Sequence, residues 1–561
     1  MHPSNRSASL LSLFVDRVGR DGPQPALAIK RQGDYHWLTW GDLAAAVRQM
    51  AGRFRALGLE PGDRLVLVSE NRYEWILCEL AVHLARGVHV AVHCSLSGVQ
   101  IAHQIRDSGA RVVIVSGLEQ ARKLESVVSE QAAGGLPTGL RIASFDAVES
   151  VKDGVQINGV SVVPLSEVTP TDLVWPPAAG DEPSSEDLAT ILYTSGTTGE
   201  PKGVMLSHGN LVSNALACLE AFRFPPDYVR LCWLPLSHIY ARTSDMYVWI
   251  AGSDRMALAE SRETVLADCA AVQPTFINGV PYFYEKVARY LQDAGRADEP
   301  GALVGLLGGR MRLCCAGGAA LPNHVAEFFA RQGLLLVQGY GLTETSPVIS
   351  TGTPEAHRLG TVGRPIPGVE VRIAADGEIL CRGPNVMLGY WNKPEATAEV
   401  LNQGWFHTGD LGSLEDGYLR ITGRKKELIV TAAGKNVAPT LLEGLLVEDP
   451  LIAQAVVVGD ARNYLAALIV PDSANLRAEI LRRQIPVDSP ALAQPAVHAL
   501  YRECIERRLA DLSRNEQVRA FALLDRGFTV EAGELTPTLK IKRNIVHQHF
   551  AAEIEALYRS C

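Results

Sequence analysis

Residues 188–211 read LATILYTSGTTGEPKGVMLSHGNL, two apolar runs on either side of a segment crowded with glycine and hydroxyl side chains. LATILYT (188–194) is short, apolar and β-branched, as a buried strand should be. SGTTGEPKG follows, and Ser207 is placed to cap a helix in which Leu211, Ala215, Cys218, Leu219 and Phe222 share one face. Strand, glycine-rich loop and helix together can bring backbone N–H groups onto a phosphate. Gly196 and Gly199 permit close approach, Thr194, Ser195, Thr197 and Thr198 add donors, and Lys202 adds positive charge. The spacing is not that of a Walker A loop, which needs GxxxxGK[ST]; here Gly203 follows the lysine.

Outward from this loop, strand-length apolar stretches alternate with helix-like segments. DRLVLVSE (63–70), RVVIVSG (111–117) and LLLVQGYG (334–341) are examples, and the alternation predicts parallel sheets with crossover helices. PPAAGDEPSSED (176–187) reads as a surface loop. After Pro367 the texture changes. VEVRIAADGEILCRG (369–383) reads as a hairpin turning at Asp376-Gly377. AQAVVVGD and YLAALIVP read as paired strands, and VRAFALLD as a final one. The expected fold class is α/β: a large N-terminal domain of parallel sheets with flanking helices plus a β-hairpin-rich subdomain, and a small α+β C-terminal domain on a hinge. A boundary at Gly423 divides the chain into 1–423 and 424–561, with Pro439 near a helix start in the smaller part.

A chain of 561 residues exceeds one ordinary core. A net charge of -9 and a pI near 5.9 argue against a nucleic-acid binder, which needs a basic face. Ten cysteines without CxxC pairs, two of them adjacent at Cys314-Cys315, read as buried thiols in a reducing compartment. LLSLFV near the start reads as part of a first helix rather than a signal peptide. No apolar run approaches the roughly 18 residues of a membrane span. The expectation is a soluble, cytoplasmic protein, with peripheral contact at the inner face of a membrane left open.

YTSGTTGEPKGVMLSH resembles the signature of the adenylate-forming (AMP-binding) superfamily: acyl-CoA synthetases, luciferases and carrier-protein-loading adenylation domains. Other segments resemble the superfamily's further motifs in the same order. RLCCAGGAALP (312–322) supplies Gly317, Gly318 and Ala319, whose backbone would border adenine and acyl group. In QGYGLTETSP (338–347), Gly339, Tyr340 and Gly341 would form the adenine site, Thr343 would bond the α-phosphate and Glu344 would hold Mg²⁺. A carboxylate among phosphates is chemically sensible only with a metal between them. In GWFHTGDLG, Asp410 would accept both ribose hydroxyls; in ITGRKKEL, Arg424 would contact ribose or phosphate, while Lys425 and Lys426 read as a solvated basic face. ELTPTLKIKR resembles the terminal lysine motif in its long-chain form, which would make Lys540 and not Lys542 the catalytic residue. AAGKNV resembles the segment that lines the pantetheine path of coenzyme A, which would put Gly434 and Lys435 there. His238 in LPLSHIYART would face the substrate carboxylate, and Gly279 and Gly317 would leave room for an acyl chain.

The resemblance therefore implies an acid-thiol ligase for a long- or medium-chain fatty acid. ATP would activate the acid as acyl-AMP, releasing pyrophosphate, and coenzyme A would take the acyl group. Lys202, Lys540 and Mg²⁺ would clamp the charge that develops on phosphoryl oxygens. Two alternatives stay open: a fatty acyl-AMP ligase that loads a carrier protein, and a nucleotide-binding homologue without catalysis. Acyl length and oligomeric state are not legible.

Overall fold

The computed structural model describes residues 8–559 apart from 130–135, 147–155, 158–159, 179, 195–200, 433–434, 487–490, 530 and 536–540. Two nine-stranded sheets dominate the large domain. In the first, Leu335–Gly341, Leu313–Ala316, Phe276–Gly279, Val229–Cys232, Arg255–Leu258 and Pro25–Arg31 run parallel in that spatial order. In the second, Leu188–Thr194, Val88–Val92, Arg64–Val68, Val112–Val115, Arg141–Ser144 and Val160–Pro164 do the same. Antiparallel strands finish the edges, and the central strands are apolar on both faces, as helix-covered parallel sheets require.

Against the second sheet lies a helix, Tyr73–Leu84, that is buried along most of its surface. Its apolar content explains that position, but Glu79 and His83 lie inside as well. Burial alone would favour a neutral Glu79. Arg242, with Nη2 3.6 Å away, and the rings of His89 and His83 outweigh it and hold the carboxyl well below its ordinary range. Tyr247 also donates to Glu79. Arg242 and Tyr247 bound a π-helical turn, Arg242–Tyr247, and Arg242 Nη1 donates to Thr190 Oγ1 at 2.9 Å. The buried ion pair thereby fastens this turn to the helix and to the second sheet.

Past Pro367 a third, antiparallel sheet forms. Asp376-Gly377 closes its first hairpin, with Gly377 at φ 86°. Asp416 and Gly417, both at positive φ, close a two-residue turn between Trp405–Glu415 and Tyr418–Arg424. Gly423 falls inside that second strand rather than between strands, and a Cβ there would lie 2.6 Å from Cβ of Ala438. The smaller C-terminal part holds Ile452–Val458, Leu465–Pro471 and Val518–Leu523 in one sheet. Pro439 begins the helix Pro439–Val447, where its missing N–H breaks no bond. Among the described residues nine cysteines are free thiols, eight of them buried. No described helix is long and apolar enough to cross a membrane.

Candidate active site

Ser195, Gly196, Thr197, Thr198 and Gly199 lie outside the described residues, but their flanks do not. Thr194 ends one strand and Lys202 begins the next, directly opposite it in an antiparallel pair that continues to Ser207. The six-residue strand Lys202–Ser207 therefore stands between Pro201 and the helix His208–Phe222. Ser207 does cap that helix, through Asn210, but at the far end of the strand from Lys202. The helix dipole therefore does not serve the loop, contrary to the strand–loop–helix expectation. The reason is visible in KGVMLS: Gly203, Val204, Leu206 and Ser207 are buried, and the run pairs as sheet on both sides.

That second pairing matters. Val204 and Met205 lie beside Tyr390 and Gly389, which brings the Tyr390 ring under Lys202, Nζ standing 4.8 Å from the ring centre. The Tyr390 hydroxyl donates to Glu344 Oε1 at 2.8 Å, and Met387 N–H donates to the Glu344 carbonyl at 2.9 Å. Burial and the Glu344 charge both push the Tyr390 hydroxyl well up, so it stays a donor. One tyrosine that the sequence motifs do not mark thus joins the lysine of the first motif to the acid of the second.

The second motif bends sharply. Leu335–Gly341 reverses into Val348–Thr351, with Gly339 opposite Thr351 and Gly341 opposite Val348. A Cβ on Gly341 would lie 1.8 Å from the Pro347 carbonyl oxygen, so only glycine fits. Thr343 and Glu344 sit in a short 3₁₀ turn, Thr343–Thr345. From the strand, the Tyr340 hydroxyl donates to Asp410 Oδ2 at 2.7 Å. Arg424 Nε stands 3.2 Å from Asp410 Oδ1. This pair owes its register to a bulge next to Gly412, which sets Asp410 opposite Arg424 where a regular hairpin would set it opposite Gly423. A Cβ on Gly412 would come 2.3 Å from the Arg420 carbonyl oxygen, so the bulge depends on that glycine. Lys425 is exposed, as expected, and also reaches Asp376 at 2.6 Å and Glu378 at 3.1 Å.

Gly317, Gly318 and Ala319 follow the end of Leu313–Ala316, beside Tyr340's strand; Gln338 Nε2 donates to the Ala319 carbonyl at 3.1 Å. Gly318 has φ 82°. Gly279 ends the neighbouring strand, and Gly317 N–H donates to its carbonyl at 3.1 Å. His238 is exposed and caps Ile239–Ala241 by accepting Tyr240 N–H at Nδ1, 3.3 Å away. Lys435 is exposed on a hairpin of the small domain, its N–H bonded to Thr431 Oγ1 at 3.2 Å; Gly434 beside it lies outside the described residues. Lys540 also lies outside them. Its neighbours are held: Leu535 bridges Ile541, and Lys542 N–H donates to the Glu534 carbonyl at 2.8 Å.

Two linked sets of side chains result, Lys202–Tyr390–Glu344 and Tyr340–Asp410–Arg424, joined through the three residues that separate Tyr340 from Glu344. A lysine, two acids and an arginine brought together in this way suit a polyanionic ligand with a hydroxylated sugar. Among the described residues no group of three or more His, Cys, Asp or Glu is arranged around one metal position. A lone carboxylate such as Glu344 still fits Mg²⁺, which keeps waters and takes substrate phosphates as its other ligands.

Residues 14–391 match the family model for AMP-binding enzymes, and residues 426–561 match that for the AMP-binding enzyme C-terminal domain. The long-chain-fatty-acid–CoA ligase FadD15 of Mycobacterium bovis is 34% identical, the match covering 96% of this chain and 95% of that one. Fatty acyl-CoA synthetase A of Dictyostelium discoideum is 28% identical over 99% of this chain and 91% of its own. In fold, the crystal structure of the anthranilate CoA ligase AuaEII with anthranoyl-AMP superposes with a TM-score of 0.79 at 19% identity, covering 99% of this chain and 100% of that one.

Proposed function

This chain belongs to the AMP-binding enzyme family, and we propose that it activates a fatty acid as acyl-AMP, releasing pyrophosphate, and then transfers the acyl group to coenzyme A. The observation that carries this is the meeting of Lys202, Tyr390 and Glu344 beside Tyr340, Asp410 and Arg424. Asp410 would receive the ribose hydroxyls, displacing or sharing the Tyr340 and Arg424 contacts. Glu344 would hold Mg²⁺, and Lys202 with the 195–199 loop would hold the departing pyrophosphate. When bound, the ion neutralises phosphoryl charge. Lys202 and Lys540 would add cationic contacts to phosphoryl oxygens, and Thr343 a hydroxyl donor to the α-phosphate. His238 would face the carboxylate. The full-length likeness to ligases named for long-chain fatty acids and coenzyme A supports the acid and the acceptor.

The second step needs Lys540 withdrawn and a thiol admitted. Residues 424–561 would turn as a unit on residues 1–423, carrying Lys435 toward the coenzyme. The test is a panel of fatty acids from short to long, with AMP release measured using either free coenzyme A or an acyl carrier protein. Turnover with coenzyme A alone is expected; turnover with the carrier alone would replace the acceptor. Lys540→Ala should abolish acyl-AMP formation while sparing thioester formation from supplied acyl-AMP. Equal loss of both steps would remove Lys540 from the role given to it.

A further inference from the structure

Tyr390 is held from both sides along its backbone. It lies opposite Val204 in the sheet, with Leu388 N–H donating to the Met205 carbonyl at 3.0 Å and Trp391 N–H to the Gly203 carbonyl at 2.7 Å. Its own N–H goes to Thr397 Oγ1 at 2.9 Å, and the residue is only 7% exposed. Ring and hydroxyl are thereby fixed in place, and each meets a different charged group. The ring face carries Lys202, and the hydroxyl donates to Glu344 Oε1 at 2.8 Å.

Glu344 is held less firmly. It sits in the short turn Thr343–Thr345 and is partly exposed. Met387 N–H fixes its backbone carbonyl, but among the described residues the Tyr390 hydroxyl is the one donor to its carboxylate, and Oε2 accepts nothing from them. Lys202 does not take that part: among the described residues it forms no ion pair, and its charge rests on the Tyr390 ring. A carboxylate without its donor is free to turn about its side-chain bonds, and ordering it again costs entropy. Carboxylates that ligate metals are themselves hydrogen-bonded for this reason, and losing the outer partner costs about 10- to 100-fold in metal affinity.

We propose that Tyr390 is a positioning residue for Glu344: its hydroxyl holds Oε1 so that Oε2 is left to a divalent cation, while its ring supports Lys202. This rests on the reading of Glu344 given above. The test measures binding without turnover in the wild type, Tyr390→Phe, Tyr390→Leu and Glu344→Gln, each checked for folding by circular dichroism. ATP affinity is read by calorimetry in EDTA. Manganese affinity is read by electron paramagnetic resonance in protein saturated with ATP and free of fatty acid. Tyr390→Phe keeps the ring, so it should bind ATP without metal as the wild type does, yet bind manganese about 10- to 100-fold more weakly. Tyr390→Leu should show the same manganese loss and, lacking the ring under Lys202, also weaken metal-free ATP binding about 2- to 5-fold. Wild-type manganese affinity in both tyrosine variants would overturn the positioning role; if Glu344→Gln alone loses manganese, the reading of Glu344 stands. A loss of metal-free ATP affinity in Tyr390→Phe as large as its loss for manganese would also overturn the role, because a merely structural tyrosine behaves that way. Wild-type manganese affinity in Glu344→Gln would overturn the reading of Glu344 and the proposal with it.

Discussion

Glu534 sits at the foot of the segment that carries Lys540, and replacing it with glutamine tests how that foot is held. The carboxylate is fully buried and accepts from Arg526 at 2.6 and 2.9 Å, His549 at 2.9 Å and Thr529 N–H at 3.2 Å. Arg526 above all, then His549 and the backbone, outweigh burial and bring its pKa from 4.5 down to about 2. Each tenfold change in acidity is worth about 1.4 kcal/mol, which sets a ceiling of about 3 kcal/mol on the stabilisation. Arg526 is 47% exposed, so solvent screening reduces this to about 1–2 kcal/mol in practice. Because the folded-state pKa is depressed, the contribution is complete above pH 4.5 and fades as pH falls through about 2. Urea unfolding of the wild type and Glu534→Gln at pH 7 and pH 4 reads this directly. The variant should be less stable at pH 7, and the gap should narrow by up to about 0.8 kcal/mol at pH 4. Acyl-AMP formation should slow in the variant more than thioester formation from supplied acyl-AMP. A gap that is absent, or equal at both pH values, would refute the coupling of this carboxylate to the fold.

Gly341→Ala should cost about 1–3 kcal/mol and nearly abolish adenylation, since the new methyl meets a backbone carbonyl that cannot yield; pyrophosphate release checks this. Arg242→Met should cost about 3–5 kcal/mol in urea unfolding, because Glu79 is left charged in the interior. Asp410→Asn should raise KM for ATP at least tenfold with a smaller change in KM for the acid, and equal shifts in both would argue against a ribose contact.

Much of the site could be read from residue order. Asp416-Gly417 announces a two-residue turn that pairs the strands carrying Asp410 and Arg424, and Ser207 announces its helix. What the sequence concealed was pairing between distant segments. Nothing around Tyr390 marks it, because its importance comes from lying beside Val204 in a sheet formed across 186 residues. Nor does anything in the sequence mark Tyr240, whose ring packs against Gly317 from 77 residues away. The Gly412 bulge is a one-residue slip that alternation does not reveal. Glu79 is legible in the sequence: an acid inside the otherwise apolar YEWILCELAVHL can be buried only with a cationic partner. KGVMLS was the misleading case, a strand whose residues fit a loop-to-helix approach equally well.

The most direct measurement is exchange of labelled pyrophosphate into ATP, which reports reversible adenylate formation with no thiol present. With magnesium and a fatty acid the protein should catalyse exchange, and omission of the acid or substitution of Lys540 by alanine should stop it. A folded protein that binds ATP yet shows no acid-dependent exchange, with any chain from butanoate to octadecanoate, would contradict the joining of fatty acid to AMP in this cleft.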